Sequence, residues 1–86
     1  MTHELKCLVE PFQAKWDGDK NWEFRKNDRD YKIGDILKER EYDAEKNVYS
    51  SREILEEVTW ILHGGTFGVP EGYVIMSTRE IVKTDY

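Results

Sequence analysis

Between Gly18 and Asp35 the chain passes through a glycine turn, an alternating segment, a dense block of ionisable side chains and a second glycine turn at Gly34. Within this stretch the pattern is that of an extended segment and a charged turn held between two tight glycine turns. The segment inside it, Asn21 to Lys26, places Trp22 and Phe24 on one side of a strand and Glu23 and Arg25 on the other. The same stretch concentrates charge beside aromatic rings, which makes it the expected place for a ligand to be read.

The remaining segments extend this pattern. His3-Glu4-Leu5-Lys6-Cys7-Leu8 alternates as a first strand, with Leu5 and Cys7 turned to the core and His3 on the same face at its rim. Pro11 suits a first helical turn, Val9, Phe12 and Trp16 share a face, and Gly18 supplies the stop, so a single principal helix is expected over residues 9–17, lying across one opening of the sheet. Ile36 to Tyr42 reads as a strand whose inward face is left open, because Glu39 interrupts the apolar series. Asp43 to Asn47 has hairpin composition and Val48-Tyr49 begins the return strand. In Ile54 to Leu62 the alternation puts Val58, Trp60 and Leu62 on one face and Leu55, Thr59 and Ile61 on the other. His63 to Gly72 holds four of the six glycines, and Tyr73 to Ile81 reads as a last strand. Five to six short strands with one helix predict a small, mostly antiparallel β-barrel of mainly β, α+β class.

With 86 residues there is one domain, spanning 1–86, and three Trp, five Tyr and three Phe are what let so short a chain close without staples. Cys7 is the single cysteine; with two distant histidines it is too little for a usual structural zinc site, so neither a metal nor a cofactor is expected. No apolar run approaches the roughly 20 residues of a membrane span, and no signal-peptide core opens the chain, which with the lone cysteine predicts a cytoplasmic protein with no membrane partner; a monomer is expected. The net charge of −5 argues against non-specific coating of nucleic acid. Residues 15–40 nevertheless carry eight Lys/Arg against seven Asp/Glu, while residues 41–86 carry four against nine, which allows a local basic edge on an acidic body.

Two readings of Lys20, Glu23 and Arg25 stand side by side. As a site, the two cations hold a phosphate or a base edge while Glu23 accepts from an exocyclic amine. As structure, Glu23 and Arg25 form cross-strand ion pairs on an exposed face, each contributing about 0.2–1 kcal/mol. Lys26 and Arg29, with Lys32, extend a phosphate-contacting edge interrupted by Asp28 and Asp30. His3 looks toward any cleft at its end of the sheet. Gly64 and Gly65 either form part of a wide connection between barrel strands or let an anion approach the backbone, and Phe67 and Tyr31 are either base-stacking platforms or core.

The succession Gly18-x-Lys20-x-x-Glu23-x-Arg25, followed by Tyr31-x-Ile33-Gly34-Asp35-x-Leu37, resembles the activating-signal-cointegrator homology (ASCH) family of PUA-like barrels. His3 to Lys6, Phe24 to Tyr31, and Gly64-Gly65-x-Phe67-Gly68-Val69-Pro70-x-Gly72-Tyr73 are similar to a small bacterial and phage family of unknown function within that group. The resemblance implies a PUA-like barrel with a cleft beside the helix, lined by Lys20 to Arg25, and an RNA or nucleotide partner. Some bacterial ASCH-type proteins are amidohydrolases of N4-acetylated cytidine that use a lysine, a threonine three residues later and a distant glutamate. Lys20 matches the lysine, whereas the threonine position holds Glu23, without a hydroxyl.

Overall fold

The computed structural model describes all residues, Met1 to Tyr86. Five strands and one helix follow in the order β1 (Thr2–Leu8), α1 (Val9–Trp16), β2 (Trp22–Lys26), β3 (Ile36–Asp43), β4 (Val48–His63) and β5 (Tyr73–Asp85). The sheet order is β1-β3-β4-β5-β2, with β1 parallel to β3 and every other pair antiparallel. The sheet curls into a half-barrel whose two edge strands are β1 and β2. The fold is therefore mainly β with one short helix, and no helix is long and apolar enough to cross a membrane.

The period of two holds over β1, where His3, Leu5 and Cys7 are buried and their neighbours exposed. On β3 the inward series, left open by the sequence, is Leu37, Glu39 and Glu41. One apolar cluster gathers Leu5, Tyr31, Leu37, Val58, Ile61, Val74 and Met76. A second, under α1, holds Cys7, Phe12 and Ile54 with Trp16 packed against it. Buried Glu23, Glu39, Glu56 and Lys15 also share the interior, so this half-barrel contains charge as well as hydrocarbon.

Two expectations need correction. The return strand is one continuous 16-residue β4. Within it, Val58 pairs with Thr78 while Trp60 pairs with Ser77, so Thr59 is an extra residue that advances the alternation by one. Val58 consequently faces the core, Trp60 stands 57% exposed, and Ile61 is buried, against the shared face expected for Val58 and Trp60. On β2, Glu23 is the buried residue and Trp22 and Phe24 are about half exposed, so the ion-paired carboxylate points into the half-barrel instead of lying on an exposed face. The interior cations described below are what stabilise it there.

Candidate functional site: a charged cleft beside the helix

Helix α1 begins directly after β1 with Leu8 as N-cap and no side-chain cap. Phe12 and Lys15, three residues apart, both turn inward, which buries the lysine stem and directs its ammonium at the sheet. Gly18, at φ +81°, reverses the chain, its N–H donating to the Lys15 carbonyl at 3.0 Å. The Asn21 carbonyl then accepts from the Thr78 N–H at 3.0 Å and sets β2 in register with β5. That register points Glu23 toward Lys15.

A compact charge cluster results. Lys15 Nζ donates to Glu56 Oε1 at 2.8 Å and lies 3.5 Å from Glu23 Oε1; Lys20 Nζ lies 3.7 Å from the same Glu23 oxygen. Arg25 Nε donates to Glu23 Oε2 at 3.1 Å, and its Nη2 reaches Glu39 Oε2 at 3.4 Å and the Lys6 carbonyl at 2.8 Å. Burial opposes ionisation of Glu23, but its hydrogen bond with Glu39 and the charges of Lys15, Arg25 and Lys20 outweigh it, so its pKa falls below the usual carboxylate value. Glu39 moves the other way. Complete burial, then the charge and hydrogen bond of Glu23, push its pKa well up, and Lys15 and Arg25 only partly offset them. Glu23 is thus the member of the pair biased toward its ionised form and Glu39 the member biased toward its neutral form, and Glu23 Oε1 and Glu39 Oε1 are buried without a hydrogen-bond partner. Burial also raises Glu56, with Lys15 acting against it. For Lys15, burial favours the neutral amine, yet Glu23 and Glu56 prevail and keep it charged.

An open cleft of about 260 Å³ runs along one side of this cluster, between the end of β1, Pro11 of α1, and β2. Lys6, Cys7, Lys20, Trp22, Glu23 and Arg25 are among its walls. Lys20 donates to the Trp22 carbonyl at 2.8 Å and its ammonium stands 4.3 Å from the Trp22 ring centroid, a cation–π contact. On the other side of Lys20, a smaller cavity of about 120 Å³ reaches Lys15, Glu56 and Thr78. The arrangement offers cations and aromatic surface near the opening and a carboxylate kept ionised in the wall.

Of the residues singled out in the sequence, the cleft brings together Lys20, Glu23 and Arg25. Lys26 and Arg29 border a separate hollow of about 150 Å³ with Tyr31 and Asp28. Arg29 is engaged there, donating through Nη1 to the Glu4 carbonyl at 2.7 Å. His3 lies at the opposite end of β1, its Nε2 2.8 Å from Asp35 Oδ2 and its ring edge-on to Tyr31. Gly64, Gly65 and Phe67 belong to the β4–β5 loop and line none of these cavities. Phe67 is 89% exposed with φ +52°, whereas Tyr31 is core. Sequence reasoning missed Lys15, Glu39, Glu56, Cys7 and Lys6. A signal existed for two of them: Lys15 follows Phe12 at i+3, and Glu39 breaks an apolar alternation.

Cys7 Sγ and carboxylate oxygens of Glu23 and Glu39 lie within 4.8 Å of one another, a spacing that could admit a metal ion. The donors are poorly suited to one. Burial, then Glu39 and Glu23, push the Cys7 thiol up to about 12, and Lys15 and Arg25 already occupy the carboxylates. The cluster is better described as a buried ion-pair network.

No curated protein matches the chain. The model of the family described as "Domain of unknown function (DUF3850)" matches residues 2–78, a span that contains every residue of the cleft. The chain belongs to that family of unknown function.

Proposed function

We propose that this chain is a PUA-like module of the ASCH kind that binds a nucleotide, or one nucleotide of a single-stranded RNA, in the cleft between α1 and β2. The observation that carries this reading is Glu23, a buried carboxylate held ionised in the wall of an open cleft by Lys15, Lys20 and Arg25. An acceptor of this kind suits the exocyclic amine of a nucleobase. Lys6 and Lys20 at the opening suit a phosphate, and the exposed Trp22 and Phe24 rings suit the face of a base. Few phosphate contacts on a chain of net charge −5 make the affinity modest and salt-sensitive. Titrating the ¹⁵N-labelled protein with nucleoside monophosphates and short RNAs at low salt is expected to shift amides of residues 6–8 and 20–25, and the shifts should fade as salt is raised. If those amides stay still at low salt, the reading fails.

A second reading, hydrolysis of an acylated nucleoside, would use Lys20 as nucleophile or base and Glu23 as proton carrier, and the two stand 3.7 Å apart. It ranks second because the ionised Glu23 favours the charged ammonium of Lys20 and works against its nucleophilicity. Incubation with N4-acetylcytidine decides it: turnover that disappears in a folded Lys20→Ala variant supports hydrolysis, and no turnover in the wild type retires it.

A further inference from the structure

The convex face of the sheet is divided into two unlike halves. Over β1, β3 and the first part of β4 it is laced by ion pairs, Lys38 with Glu4 and Glu53, and Arg40 with the same two carboxylates. Over β2, β5 and the last part of β4 the outward positions are Lys26 and Ser77 together with six apolar side chains, Trp22, Phe24, Tyr73, Ile75, Trp60 and Leu62. The registers align them across three adjacent strands: Trp22 opposite Ser77 and Ser77 opposite Trp60, Phe24 opposite Ile75 and Ile75 opposite Leu62. The Thr59 bulge is what puts Trp60 in this group. Without the extra residue its ring would turn to the core. Trp22, Phe24 and Trp60 are about half exposed, and Phe24 already stacks on Tyr73 with ring centroids 5.5 Å apart.

We infer that this face is a stacking platform for single-stranded nucleic acid that continues out of the cleft, an inference that rests on the nucleotide reading of the cleft. Trp22 and Phe24 belong to both surfaces, lining the cleft and facing outward on β2, so a strand with one base in the cleft meets these rings next. Four of the six side chains are aromatic, and a ring accepts any base on its π face, which favours a sequence-tolerant platform. No member of the patch is a carboxylate; Lys26 continues the outward row of β2, Lys20 stands over the Trp22 ring, and at the far border the Glu57 carboxylate is neutralised by its ion pair with Arg79, so the patch lacks the unpaired negative charge by which the chain as a whole would repel a polyanion. Trp22 and Phe24, two residues apart on one strand, repeat at about 6.6 Å.

The test compares a 5′-mononucleotide with a ten-nucleotide single-stranded RNA of the same base, on the wild type, Trp60→Ala and Trp60→Phe, followed by amide shifts and tryptophan fluorescence. Trp60 does not line the cleft, so mononucleotide binding is expected to be the same in all three. Ten-mer binding is expected to weaken roughly 5- to 150-fold in Trp60→Ala, and to be largely retained in Trp60→Phe, which keeps a ring to stack on. Ten-mer affinity unchanged in Trp60→Ala, or shifts confined to the cleft, would overturn the platform while leaving the cleft reading intact. Failure of both probes on the wild type would remove both. Self-association of the wild type that Trp60→Ala abolishes, with no change in ten-mer binding, would make the face a protein interface and overturn the proposal.

Discussion

Glu39 has its pKa pushed well above that of an exposed glutamate, because no solvent reaches it and the neighbouring Glu23 carries negative charge. Facing the pair are Lys15 from α1, Lys20 from the turn before β2, Arg25 from β2, Cys7 from β1 and Glu56 from β4. A folded-state pKa raised above its unfolded value contributes stability that is fully present below the unfolded value of 4.5 and is lost as pH rises through the folded one. Glu39→Gln mimics the protonated acid and removes that loss. Urea unfolding at several pH values should show the variant gaining on the wild type from about pH 4.5 upward, by at most about 1.4 kcal/mol per pH unit. Glu23, whose pKa is lowered, contributes in the opposite sense, its stability being lost as pH falls, and that loss lies on the acid side of the window compared here. A difference that stays flat from pH 4.5 to 8 would show that Glu39 ionises freely. Lys15 is the residue on which the cluster most depends, because it neutralises two buried carboxylates at once. Lys15→Met should cost about 3–5 kcal/mol in urea unfolding, and Lys15→Met with Glu56→Leu should recover part of it, since the second change removes a charge left without a partner. Recovery of nothing would mean that the lysine stem, not its charge, matters.

At the scale of elements, the strands that could be read from alternation are those whose period is unbroken. On β1, His3, Leu5 and Cys7 take the same face in the sequence pattern and in the fold. The limits of α1 were legible for a similar reason, since Pro11 and Gly18 act through local backbone geometry. Strand β4 was not legible past Val58, because a bulge is a tertiary choice and nothing about Thr59 itself marks it. On β2 the polarity of the strand depends on Lys15, a partner eight residues upstream that only the folded helix brings to Glu23. The glycine-rich loop between β4 and β5 had two readings in the sequence, a wide strand connection or backbone offered to an anion, and its geometry shows a packing demand at Gly64. A Cβ there would stand 1.9 Å from the Pro70 carbonyl oxygen, so the loop closes on the glycine's bare Cα. Gly64→Ala is expected to lower stability by about 1–3 kcal/mol, the usual cost of forcing atoms into a packed space, with a matching fall in melting temperature. A variant that melts with the wild type would show that Pro70 moves aside freely.

For the whole molecule, the decisive feature is that the sheet does not close by strand pairing. Edge strands β1 and β2 approach each other across a seam bridged by arginine side chains, Arg29 on the Glu4 carbonyl at 2.7 Å and Arg25 on the Lys6 carbonyl at 2.8 Å. Beyond Arg25 the seam parts, and the cleft lies there, between Lys6 to Leu8 on one edge and Trp22 to Arg25 on the other. The site is thus the unclosed portion of the half-barrel, and Arg25 both ends the closed portion and holds Glu23. An edge strand secured on its outer side by side-chain donors should open locally before the sheet unfolds. Arg29→Ala removes one bridge without touching the cleft. Hydrogen exchange of the β1 amides is expected to accelerate roughly 2- to 10-fold, the equivalent of one net hydrogen bond of about 0.5–1.5 kcal/mol, while amides at the β4–β5 centre exchange as before. Equal acceleration everywhere would mean that Arg29 supports global stability and not the seam. No acceleration in β1 would mean that pairing with β3 alone holds the edge and that the arginine contacts are incidental to closure.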